Sequence, residues 1–236
     1  MKIGYIISVP KASLIYEKPI ALRSQRGRAL SQRAVQACPA VNDFERRTFE
    51  VPAPYNLRLR CSKAGDDFIL EAINPGTRLD EDLILDHIFL MEPGFWRSPN
   101  RPVLQIKCPY LFVTDDDAYL TQSPPFLDYK QDRWPGVVTT ARFAFGVWPR
   151  VLSWAFEWHD ISKDLIIKRG EPWFYVMFET TNPSEEVELV EAVDTPELKQ
   201  YRASLEDVVK FVSNPFALKD RARERRPEKL LKVKNE

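Results

Sequence analysis

The chain has 236 residues, 44% of them hydrophobic and 29% charged, with a formal net charge of zero. That is the balance of an ordinary folded soluble protein, long enough to bury a sizeable core without disulfide or metal support. Cys38, Cys61 and Cys108 are an odd number without paired spacing, which argues against an oxidised secreted scaffold and for reduced thiols in a cytosol-like compartment.

Lys2–Val9 reads as a first strand. Its apolar stretch is too short to span a membrane and lacks the cleavage pattern of a signal peptide. The expectation is a cytoplasmic protein without a membrane partner. Residues 18–37 follow, with Arg23, Arg26, Arg28 and Arg33 uninterrupted by acids. Residues 1–42 hold seven Lys/Arg against Glu17 alone, and residues 219–236 hold eight against four acids, so the body between carries about −10. Basic ends on an acidic body suit contact with nucleic acid or another acidic surface, or simply rest against that body.

Pro39 to Glu50 predicts a short helix with Pro at its start and Val41, Phe44 and Phe49 available for burial. Pro52 and Pro54 then enforce an extended connection. Leu57, Leu59 and Cys61 alternate with Arg58 and Arg60, the period-two pattern of a half-buried strand. Gly65–Asp66 predicts a turn into a partner strand over Phe68–Ile73. Residues 79–91 fit either strand or helix, and a proline-rich loop runs from Pro93 to Pro102.

Val103–Thr114 predicts a strand bent at Pro109, which points to an edge or a bulge. Phe143, Phe145 and Val147 share one strand face, and Leu152, Trp154, Phe156 and Trp158 share the next. Leu165 and Ile167 begin a third strand, Arg169–Gly170 makes a turn, and Trp173–Phe178 is apolar on both faces, as a central strand should be. Thr195–Pro196 then opens a helix, with Leu198, Tyr201, Leu205, Val208 and Val212 on one apolar stripe. That stripe serves either an oligomer seam or docking on the chain's own sheet. Asn214–Pro215 should stop or kink the helix, and a basic, mixed-charge arm follows.

Strands joined by short loops, with no interleaved helix before residue 195, predict a mainly β (α+β) fold. The expected form is an antiparallel β-sandwich or jelly-roll over residues 1–194, with a C-terminal amphipathic helix and arm over 195–236.

No catalytic spacing stands out. His87 and His159 each neighbour an aspartate, and a barrel that joined them would make a divalent-metal site; otherwise no cofactor is expected. Asp115–Asp116–Asp117 are consecutive acids without the glycine or alternate spacing of a calcium loop. Trp96 and Trp134 lie in proline-rich loops and are candidates for exposed contacts.

Two segments, CPAVNDFERRTFEVPAPYNLRL (38–59) and LSWAFEWHDISKDLIIKRGEPWFYVMFE (152–179), cover about a fifth of the chain. They resemble an uncharacterised protein family of marine bacteriophages and marine bacteria. The resemblance transfers no catalytic residue and implies a virion component or a host-directed factor, in the host cytoplasm or the virion. Three readings follow. The first is a non-enzymatic binding or assembly protein with a protein partner or self-association. The second is a metal-dependent small-molecule enzyme on a double-stranded β-helix, using His87 and His159. The third is a nucleic-acid-binding protein using the arginines near residues 23–33.

Overall fold

A computed structural model describes residues 1–9, 15–25, 34–73, 86–128, 134–180, 182, 185–209 and 215–234. The fold is mainly β and sandwich-like, with no closed barrel among the described residues. The first strands are β1 (Lys2–Ile7), the two-residue β2 (Ile20–Ala21), β3 (Thr48–Pro52), β4 (Leu57–Ala64) and β5 (Asp67–Ala72), with helix α1 (Pro39–Glu45) before β3. Then come β6 (Ile88–Leu90), β7 (Val103–Val113), β8 (Ala118–Ser123), β9 (Gly136–Val138) and β10 (Ala141–Phe143). The last strands are β11 (Val151–Trp158), β12 (Leu165–Ile167), β13 (Pro172–Thr180) and β14 (Glu188–Glu191), followed by helices α2 (Pro196–Val209) and α3 (Pro215–Arg225).

One sheet runs β14-β1-β7-β11-β9, with β6 also paired to β7; a second runs β10-β8-β13-β3-β2, and a third runs β12-β4-β5. The three share one core. Phe112 of the first sheet meets Phe178 of the second edge-on at 5.2 Å, and Trp154 meets Trp173 at 5.9 Å. Leu57, Leu59, Cys61, Leu165 and Ile167 of the third sheet join the same cluster. Among the described residues the strand pairings are antiparallel except β1 with β14, an edge pair that runs parallel.

β7 decides between the edge and bulge alternatives expected for Pro109. It is a central strand, with β1 and β6 on one side and β11 on the other. Pro109 does sit at an irregularity: β11 pairs Val151 with Leu111 and then Ser153 with Lys107, so β7 has extra residues where the proline lacks its N–H. The proline carbonyl still accepts Ser8 N–H at 2.8 Å. Bulging therefore lets a proline sit inside a sheet, and of the two expected positions it is the bulge, not the edge, that Pro109 takes.

Burial along β7 changes at the same place. Residues 103–107 alternate, whereas 108–113 are buried throughout. Leu111 and Val113 face a second apolar cluster with Ile6, Leu198, Tyr201, Leu205, Ala222 and Leu230, so the C-terminal helices cover the outer face only over that half. β13 lies between β8 and β3, as its two-faced apolarity predicts, and Phe126 packs edge-on against its Tyr175 at 4.9 Å.

Three boundaries move. The first helix ends at Glu45, because Thr48–Pro52 pairs with β13 and takes Phe49 into a strand. Thr48 Oγ1 donates to the Phe44 carbonyl and so satisfies one acceptor of the helix end. β10 is only three residues long; Phe145 and Val147 are buried within a turn rather than on a strand. In the stretch 79–91, Ile88–Leu90 is strand and residues 79–85 lie outside the described residues.

Candidate functional site: a basic corner around Glu157

β11 places Leu152, Trp154, Phe156 and Trp158 in the core. Glu157 falls between two of these aromatics, paired to Val103 of β7 on one side and to Val137 of β9 on the other. Its side chain is only 5% exposed. A buried carboxylate is costly unless charges and hydrogen bonds surround it. Here three groups do. His159 Nε2 lies 2.9 Å from Oε1, a hydrogen bond that the ring donates in its Nε2–H form, because an ionised carboxylate only accepts. Arg101 Nη1 stands 3.6 Å from Oε1, and Arg97 Nε stands 3.6 Å from Oε2.

Those arginine distances are ion-pair contacts outside hydrogen-bond range. Among the described residues no hydrogen bond engages either guanidinium, and the two side chains remain 73% and 52% exposed, with His159 at 37%. One carboxylate thus faces two permanent cations and a ring donor. The corner has a surplus of positive charge, carried on side chains that are largely exposed.

The backbone fixes this arrangement tightly. Trp158 N–H donates to the Pro102 carbonyl and His159 N–H to the Pro135 carbonyl, tying the strand end to both flanking loops. A Cβ on Gly136 would lie 2.0 Å from the Glu157 carbonyl oxygen, so only glycine lets β9 approach there. The following turn closes on itself. Asp160 accepts from Ser162 N–H and Oγ and pairs with Lys163 at 2.8 Å, and those partners, Lys163 first, bring its carboxyl down to about 2.

The residues singled out in the sequence lie in several places. The His87 carbonyl accepts from Lys107 N–H of β7, whereas the strand end before His159 is bonded at Pro102. These anchors are five residues apart along one strand, roughly 17 Å, which holds the two histidines at different levels of the sheet. No group of three or more His, Cys, Asp and Glu able to hold a metal ion occurs among the described residues. Trp96 and Trp134 are half-buried rather than free platforms: their indole N–H groups donate to the carbonyls of Met91 and Ile166. Phe95, 67% exposed, is the loop's open aromatic.

Arg23 is exposed and reaches Glu186 at 3.8 Å; Arg26, Arg28 and Arg33 lie outside the described residues. Leu198, Tyr201 and Leu205 are buried against the chain's own sheet. The side chain of Val208 and the whole of Val212 fall outside the described residues. The acidic triplet fastens the C-terminus: Asp115 accepts from Leu230 and Leu231 N–H, and Asp117 pairs with Arg223. Cys38 is exposed, while Cys61 and Cys108 are buried, and burial pushes the Cys61 thiol up to about 11.

Glu157, Arg97 and Arg101 were not anticipated. Two signals pointed to them: an acid inside the aromatic run Phe156–Trp158, and two arginines four apart in a proline loop without an acid between. A separate hollow of about 360 Å³ lies between Lys18–Ser24 and Leu189, but its one hydroxyl, on Ser24, already donates to Ala21. No protein-family model matches the chain, and no curated protein matches it. No helix among the described residues is long and apolar enough to cross a membrane.

Proposed function

We propose that this chain is a binding protein whose partner is anionic, and that it docks at the corner formed by Arg97, Arg101 and His159. The observation that carries this reading is the pair of exposed guanidiniums standing 3.6 Å from a nearly buried carboxylate. Glu157 orients the cations without engaging their donors, and charge-assisted contacts to phosphate or carboxylate oxygens satisfy those donors. The likeness of segments 38–59 and 152–179 to a marine phage and bacterial family suits such a role in a virion component or a host-directed factor.

Titration calorimetry with inorganic tripolyphosphate tests the corner directly. Binding is expected at low salt, weakening as salt rises, and falling roughly tenfold or more in the double variant Arg97→Ala/Arg101→Ala. Circular dichroism should show the variant folded, since both side chains are exposed. Equal binding by wild type and variant, or none by either, overturns the assignment.

A further inference from the structure

At the opposite end of β11, roughly 25 Å away by strand length, a second group of cations has a different character. Arg150 is exposed, and its guanidinium lies over two rings, 4.9 Å from the centre of Phe143 and 5.6 Å from that of Trp148. Among the described residues no carboxylate pairs with it. Arg142, next to Phe143 on β10 with its side chain on the other face of the sheet, lies 3.8 Å over the Tyr119 ring, steadied by Glu179, and Lys219 of α3 approaches the same ring at 5.9 Å. α3 adds a net charge of +2, from Lys219, Arg221, Arg223 and Arg225 against Asp220 and Glu224. Cations stacked on half-buried aromatic rings, at the edge strand of a sheet, combine two attractions that a simple basic patch lacks.

We propose that this strip, formed by β10, the turn through Trp148 and Arg150, and α3, binds single-stranded nucleic acid. Unpaired bases stack on the outward face of the Arg150 guanidinium, which Phe143 and Trp148 back from beneath, while phosphates meet Arg150 and the α3 cations. A duplex hides its base faces and offers only phosphates, so the strip discriminates against it. An acidic protein supplies the charge without the planar faces. The inference stands on its own observations and goes beyond the corner at Glu157.

The test is titration with a twelve-nucleotide oligo-dT, read by tryptophan fluorescence and by anisotropy of a labelled strand. Expected are quenching on binding, weaker binding of a duplex of equal length, and a loss of about five- to tenfold in Arg150→Gln. That variant should also lower the salt slope by about one. Arg150 is exposed, so the variant should fold; Arg150→Lys, which keeps charge but loses the planar face, should fall between. The double variant Arg97→Ala/Arg101→Ala should retain the quenching that depends on Arg150. Duplex and single strand binding alike, unchanged binding by Arg150→Gln, or no binding of oligo-dT at low salt would overturn the proposal. Loss of tripolyphosphate binding in the corner variant, with oligo-dT binding intact, counts against neither site and separates the two.

Discussion

Single carboxylates set much of the charge pattern in this protein. Glu157 gathers Arg97, Arg101 and His159, while Asp164 clamps Arg58 and Arg60 of β4 at 2.6 and 2.9 Å. Hydrogen bonding from Arg60, and then from Arg58, holds the Asp164 carboxyl below its ordinary value of 3.8. Glu179 is held below 4.5 chiefly by its bonds from Arg142. In both cases the unfolded state binds protons more readily near pH 4. The ion pairs therefore stabilise the fold above that range, and the gain disappears as pH falls through the depressed folded values. Asp164→Asn is expected to lower the thermal midpoint by about 1–3 °C at pH 7, after allowing for solvent screening. The difference should shrink as pH falls below 3.8 and through the depressed folded value. Calorimetric scans over a falling pH series check this, and a deficit that stays constant with pH would assign the loss to packing instead.

Among the elements, β9 is short yet decisive. Its three residues cover Glu157 from one side, and Gly136 brings its backbone close enough to pair with Trp158. Gly136→Ala would force a Cβ against the Glu157 carbonyl and the Phe156 ring. The strand must then shift, at a cost of about 1–3 kcal/mol. Urea denaturation should show that loss, whereas Gly94→Ala, with open space around the added carbon, should be near neutral. The local signals for several other elements were readable in the sequence. β4 alternates buried and exposed residues from Leu57 to Cys61 as its pattern predicts. Gly65 and Gly170 take positive φ at the two predicted turns. Thr195 caps α2, its Oγ1 accepting Leu198 N–H at 3.2 Å.

Across the whole molecule, the basic C-terminus is fastened to the body rather than projecting from it. Arg226 donates to the carbonyls of Gly146 and Thr114, Asp115 caps Leu230 and Leu231, and Val233 bridges Ala192 beside β14. Gly4 makes room for this seat, since a Cβ there would lie 2.5 Å from Leu231 Cδ1. The apolar stripe of α2 meets Ile6, Leu111 and Val113 on the outer face of the first sheet. Deleting residues 195–236 would uncover that face, and exposed apolar patches of this kind drive association. Size-exclusion chromatography with light scattering should show the truncated chain self-associating. A truncated chain that stays monomeric with an unchanged melting profile would mean the cluster contributes little.

The sequence by itself determined the mainly β class, the face of each well-patterned strand and the amphipathic α2. Each of these depends on residues two to four positions apart, and side-chain direction follows local backbone geometry. Only the tertiary structure decided which strands pair, that Pro109 lies in a central bulge, and that α3 and the tail lie on the first sheet. Both candidate sites depend on the same long-range pairing. Arg97 and Arg101 reach Glu157 because β7 and β11 are neighbours, and Lys219 reaches Tyr119 because α3 docks beside β8. Strand pairing is selected by burial on both faces and by fit between segments distant in the chain. No window of local sequence contains that information.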